Sequence, residues 1–138
     1  MPASNDDAPE LADASPWVLV VEDDAKFADV LRRFLASAGY STRRAFSGDT
    51  ALRALLAPGA IAVLLDVMIP HPDGIEVCRQ LRRARWGGPI IAMSARSGPR
   101  DRAAIAAAGA DRFLAKPFPL EDLADALRSV TGPAPVLS

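Results

Sequence analysis

The chain has 138 residues, half of them apolar, and a formal net charge of −1; this suits one domain able to bury its own core, and no apolar run approaches the ~18–20 residues of a membrane span. Residues 1–16 hold four acids and no Lys or Arg, the wrong charge for a secretory leader; without them 13 acids face 16 bases, too mild an excess for nucleic-acid binding. The chain therefore reads as cytoplasmic, in agreement with a single Cys78 that has no partner for an internal disulfide.

Residues 1–16 are rich in Ala, Pro, Ser and Asp, lack any apolar period, and are expected to form a disordered tail. Residues 17–21 are all apolar, the pattern of a strand buried on both faces, and run into Glu22, Asp23 and Asp24. Phe27, Val30, Leu31, Phe34 and Leu35 then recur at helical spacing, with Asp24 placed to cap the helix and Gly39 to close it. Residues 41–46 carry only a faint strand pattern. Ser47 is an N-cap for a helix through Leu56, after which Pro58-Gly59 breaks the chain.

A second apolar run, residues 61–65, ends directly in Asp66. A carboxylate there has little packing role, and ligands of open α/β sheets bind at the carboxyl ends of strands. Residues 70–74 form a loop, followed by a helix over 75–85 with Val77, Cys78 and Leu81 inward. After Gly87-Gly88-Pro89 comes a strand over 90–93 ending at Ser94, then a helix over 100–108 stopped by Gly109. A short strand over 113–115 leads into Lys116-Pro117-Phe118, and a last helix covers 120–130. Strict strand–helix alternation implies an α/β fold, a parallel sheet with helices on both faces.

The carboxyl ends of strands 1, 3, 4 and 5 then share one edge, with Glu22 and Asp23, Asp66, Ser94 and Lys116 on it. Three carboxylates in one pocket repel each other and call for a cation. An all-oxygen site with few protein ligands suits Mg²⁺, which keeps several waters and favours phosphate. A Lys and a Ser hydroxyl can hold further phosphoryl oxygens, and a carboxylate can itself be the nucleophile. The arrangement points to phosphoryl transfer onto Asp66.

In chain order the pieces Val20-Val21-Glu22-Asp23-Asp24, Leu65-Asp66-Val67-Met68-Ile69-Pro70, Asp73-Gly74, Met93-Ser94-Ala95-Arg96, Gly109-Ala110-Asp111 and Lys116-Pro117-Phe118 resemble the receiver domain of two-component response regulators, the OmpR-like class included. The resemblance covers residues 17–130. It implies a flavodoxin-like, doubly wound (βα)5 fold with five parallel strands in the order 2-1-3-4-5. The domain would span 17–131, with 132–138 a tail or linker remnant. Asp66 would accept a phosphoryl group from the phosphohistidine of a sensor histidine kinase. Mg²⁺ would be held by Glu22, Asp23, Asp66 and the backbone carbonyl of Met68. Ser94 and Lys116 would contact phosphoryl oxygens, Ala95 would offer its backbone N–H, and Pro117 would follow a cis peptide. By the same resemblance Phe113 would occupy the aromatic switch position, coupled to Ser94.

Receivers with a winged-helix output pair charges across the face made by helix 4, strand 5 and helix 5. Here Arg102 and Asp122 fit that pattern, whereas Arg112 and Ala126 stand where an acid and an Arg are usual. Arg112 and Asp125 offer a second pair with the charges exchanged. Because exposed pairs contribute about 0–1 kcal/mol each, the expectation is a monomer at rest and at most a weak dimer once phosphorylated, with no contact to nucleic acid or membrane by this chain. Pro72 replaces an apolar residue before Asp73-Gly74. The chain is expected to be either a stand-alone receiver or one cut at its linker.

Other readings are weaker on the residues. An Asp-nucleophile phosphatase needs a second Asp two residues on, where this chain has Met68. A flavin carrier on the same fold needs a Ser/Thr/Gly-rich loop after strand 1, where this chain has Glu-Asp-Asp-Ala-Lys. His71 reads as a solvated loop residue and Cys78 as core. Arg79, Arg82, Arg83 and Arg85 read as a solvated helix face.

Overall fold

The computed structural model describes residues 16–132, so the tails expected at either end lie outside the described residues but for one residue each. Five strands, β1 (Trp17–Val21), β2 (Ser41–Ala45), β3 (Ala60–Asp66), β4 (Ile90–Ser94) and β5 (Arg112–Ala115), alternate with five helices, α1 (Ala25–Ser37), α2 (Gly48–Ala54), α3 (Gly74–Arg83), α4 (Pro99–Ala108) and α5 (Leu120–Thr131). All strand pairings are parallel, in the order β2-β1-β3-β4-β5. The order reverses between β1 and β3, which opens a crevice at the carboxyl edge where those two strands end.

Alternation along the strands divides the core in two. Trp17, Leu19, Val21, Val63 and Leu65 pack on one face with Ala51 of α2, Val77, Cys78 and Leu81 of α3 and Ala108 of α4. Val18, Val20, Leu64, Ile91 and Met93 pack on the other with Leu31 and Leu35 of α1 and Leu123 and Leu127 of α5. Each of those four helix leucines is fully buried, a contribution of about 1.5–3 kcal/mol apiece from apolar transfer. This is why β1, β3 and β4 read as unbroken apolar runs: both faces are covered.

Local signals account for most boundaries. Asp24 caps α1 by accepting from the N–H groups of Lys26 and Phe27, and Ser47 forms a reciprocal cap with Thr50 at the start of α2. Gly109 ends α4 in a left-handed conformation, φ 118°.

Three expectations change. Val30 is 46% exposed, while Ala28 joins Leu31 and Leu35 in the buried stripe; position 30 lies about 100° around the helix from Leu31, at the rim of that stripe. Helix α2 ends at Ala54 and α3 at Arg83, the latter because the chain turns through Arg85 with φ 65°.

The third is Arg82, which is no part of a solvated face. Its guanidinium donates to the carbonyls of Trp86, Gly88 and Gly109 and pairs with Asp111 at 3.0 Å. Arg79 and Arg83, by contrast, are exposed and pair with Glu76 on their own helix.

Candidate phosphoryl and cation site

Each side chain of the expected site stands where a strand stops. Asp66 is the last residue of β3 and is 5% exposed; Glu22 follows β1 and is 1% exposed. They are joined by Lys116, just past β5. Its Nζ donates to Glu22 Oε1 and to Asp66 Oδ2, both at 3.0 Å. The other Asp66 oxygen, Oδ1, accepts from the Met68 backbone N–H at 2.9 Å, and Glu22 Oε2 accepts from the Asp24 N–H at 3.2 Å. Asp23 is exposed beside them. One carboxylate oxygen from each of Glu22, Asp23 and Asp66 lies within 4.8 Å of the others.

Burial pushes the Glu22 carboxyl above its ordinary range, and the neighbouring Asp66 charge adds to this, against the opposing pull of Lys116. Burial lowers the affinity of Lys116 for its proton, but the bonds to Glu22 and Asp66 outweigh it and raise the net pKa. Lys116 is thus held cationic between two buried acids. Three hard oxygen donors of like charge in this space fit a small, hard dication such as Mg²⁺.

The chain beyond Asp66 is shaped by Gly74. A Cβ there would sit 2.5 Å from Val67 Cα and 2.8 Å from the Asp66 carbonyl oxygen, and the Gly74 N–H donates to the Val67 carbonyl at 2.9 Å. Only glycine allows α3 to start this close to the strand end.

Ser94 ends β4, buried to 1% exposure, and its Oγ accepts from the Arg96 N–H at 3.0 Å. The Lys116 N–H donates to the Ser94 carbonyl at 2.9 Å, and the Lys116–Pro117 peptide is cis, as expected. Ala95 is exposed and lines a cleft of about 420 Å³ with Asp24, Phe27, Lys116, Pro117 and Phe118. Met68 is 53% exposed.

Phe113 is half-buried on β5, in register with Ala92, and shares a sheet face with Ser94. The Arg102 guanidinium lies over its ring, 4.6 Å from the centroid, and also donates to the Ser97 carbonyl. Of the other residues expected on the α4–β5–α5 face, Asp122 is exposed in the first turn of α5. Arg112 donates to Ser129 and to the Asp111 carbonyl, and Asp125 pairs with Arg128 one turn along α5. Within the protomer, therefore, Arg112 and Asp125 have partners other than each other.

One neighbour of the site is absent from the sequence reading. Arg44, on edge strand β2, donates to the backbone carbonyls of Glu22 and Asp23. Its contacts depend on the register of β1 and β2, which no local pattern specifies.

The chain matches the response regulator receiver domain family over residues 18–128. It belongs to that family. This receiver domain is 44% identical over 113 residues to the response regulator MprA of Mycolicibacterium vanbaalenii, covering 82% of this chain and 49% of that protein. It is 43% identical to MprA of Mycobacterium tuberculosis at the same coverage. The chain thus spans about half the length of the curated relatives it matches. Among solved structures, a Francisella response regulator receiver domain superposes with a TM-score of 0.81 at 29% identity, covering 84% of this chain and 96% of that one. The receiver domain of a Pseudomonas aeruginosa sensor histidine kinase, solved with magnesium coordinated in its active-site cleft, superposes with a TM-score of 0.78 at 31% identity over 86% of this chain and 98% of that one. The receiver is a signalling module of two-component systems, and among its described residues no helix is long and apolar enough to cross a membrane.

Proposed function

We propose that Asp66 is the phosphoacceptor of this receiver, acting in the cytoplasm, and takes its phosphoryl group from the phosphohistidine of a sensor histidine kinase. The observation that carries this reading is the Lys116 ammonium bridging Asp66 and Glu22 at 3.0 Å each, beside Asp23. An Asp66 carboxylate oxygen forms the new P–O bond as the P–N bond to the kinase histidine breaks, and the electron pair returns to the imidazole nitrogen. Glu22, Asp23, Asp66 and the Met68 carbonyl would hold Mg²⁺. When bound, the ion supplies positive charge against the carboxylates and phosphoryl oxygens.

The remaining residues then follow the phosphoryl group. Lys116 exchanges a carboxylate contact for a phosphoryl oxygen. The Ser94 Oγ, which accepts from Arg96, still has its hydroxyl hydrogen to donate, and the Ala95 N–H provides another donor. A phosphoryl group adds about −1.5 to −2 charges, enough to draw Ser94 toward Asp66 and to let Phe113 turn into the space it leaves. Arg102, stacked on Phe113, carries that change to the α4–β5–α5 face, which controls an output.

Incubation with Mg²⁺ and acetyl phosphate should add one phosphoryl group to the wild-type chain and none to Asp66→Asn, read by intact mass. Equal labelling of both would refute the assignment. We place the receiver at 17–131, with an acidic tail at 1–16 and a tail or linker at 132–138. We expect a monomer at rest and at most a weak dimer when phosphorylated, with Arg102 and Asp122 and the exchanged pair Arg112 and Asp125 across it. Sedimentation velocity with and without phosphorylation checks this, and a tight unphosphorylated dimer would refute it.

A further inference from the structure

Glu22 and Asp23 must keep two carboxylates beside Asp66 against their mutual repulsion, and the loop that carries them is tethered from the neighbouring edge strand. The Glu22 N–H donates to the Ala45 carbonyl at 3.0 Å. Arg44, one residue earlier on β2 and in register with Val20, reaches past the end of β1. Its Nε and Nη2 donate to the Glu22 carbonyl at 3.2 and 3.0 Å. Nη2 also donates to the Asp23 carbonyl at 3.3 Å. One half-buried guanidinium therefore clasps the main chain of both acids.

We propose that Arg44 is a positioning residue for divalent-cation binding, fixing the Glu22–Asp23 main chain so that both carboxylates are presented to a cation beside Asp66. This rests on the reading of the edge as a cation and phosphoryl site. Two effects of Arg44 oppose each other. Its positive charge disfavours a nearby dication. Its planar fork of donors orders the loop before the cation arrives, which favours binding. Geometry decides between them, because the guanidinium touches the backbone of both ligands through three donor contacts, and groups that hold metal ligands in place typically matter 10–100-fold in affinity. The two effects have opposite signs, so one measurement separates them.

The neighbouring Arg43 is the control. It carries the same charge on the same strand, but its guanidinium carbon lies 4.2 Å over the Trp17 ring, on the opposite sheet face. Mn²⁺, used as an EPR-visible stand-in for Mg²⁺, is titrated into the full chain and the free ion is read. Arg44→Met should bind Mn²⁺ about tenfold more weakly than wild type. Arg44→Lys, which retains one donor group, should fall between them, and Arg43→Met should match wild type. Acetyl phosphate labelling of Arg44→Met should need about tenfold more Mg²⁺ than wild type to reach half its own maximal rate. Unchanged or tighter Mn²⁺ binding by Arg44→Met overturns the proposal, tighter binding being the result of charge alone. A wild-type chain that binds no Mn²⁺ overturns the cation-site reading itself. Should Arg44→Met melt far below wild type without metal, Arg44→Lys and Arg44→Gln carry the same comparison.

Discussion

Replacing Lys116 by Met removes the ammonium that bridges the buried acids Glu22 and Asp66. The side chains of Glu22, Asp66 and Lys116 are 2%, 7% and 23% exposed, so water screens the exchange only in part. Breaking a buried ion pair by deleting one partner costs about 3–5 kcal/mol, because the other charge is left uncompensated. The partial exposure of Lys116 and the gain of an apolar methionine beside Phe27, whose ring lies 4.8 Å from Nζ, argue for the low end, about 3 kcal/mol without Mg²⁺. Glu22→Gln alone leaves the Lys116–Asp66 pair intact and relieves the Glu22–Asp66 repulsion, so its cost should stay within about 1 kcal/mol. In the double variant the missing cation no longer leaves two facing carboxylates, so the combined loss should fall short of the sum by about 1–3 kcal/mol. Urea unfolding of the four proteins in EDTA measures this. Additivity within ~0.5 kcal/mol, or a Lys116→Met chain as stable as wild type, would show that Lys116 is not the counter-charge inferred here.

Burial pushes the Cys78 thiol up to about 11 from its usual 9. Its folded pKa is raised, so its contribution is fully present below pH 9 and is lost as the pH climbs from about 9 to 11; at about 1.4 kcal/mol per unit wild type should lose about 2–3 kcal/mol more than Cys78→Ala across that window, and parallel pH profiles would contradict it. Gly74→Ala drives a methyl into Val67 Cα and the Asp66 carbonyl; it should cost about 1–3 kcal/mol and slow acetyl phosphate labelling, whereas wild-type values in both would refute the close approach. Tyr40 is 2% exposed and its hydroxyl has no hydrogen-bond partner among the described residues; Tyr40→Phe should therefore be neutral or raise stability by about 1 kcal/mol, and a loss above that by thermal unfolding would show that the hydroxyl is satisfied.

Much of this receiver was legible in order along the chain. Two-sided burial writes itself as unbroken apolar runs, so β1, β3 and β4 were plain. β2 was faint because it is an edge strand, with Thr42, Arg43 and Arg44 half-buried. Asp24, Ser47 and Gly109 marked helix ends through contacts with residues two to four positions away, which is information a sequence holds. The candidate acids, Asp66, Ser94 and Lys116 were legible for a topological reason: in a parallel sheet every strand delivers its last residue to the same edge.

What the sequence could not determine is what long-range register decides. Lys116 and Glu22 are 94 positions apart, and nothing local states that one ammonium would meet both buried acids. Arg82 looked like one of four solvated arginines until the fold brought the Gly109 carbonyl and Asp111, 27 and 29 positions away, within reach. Arg44 is the same case at 22 positions: as text it is an arginine in a weak strand, and only the pairing of β2 with β1 carries its guanidinium to the carbonyls of Glu22 and Asp23. Periodicity and capping are short-range physics, readable from neighbours in the chain. A charge's partner depends on which strands lie side by side and in what register, and the packed core sets both.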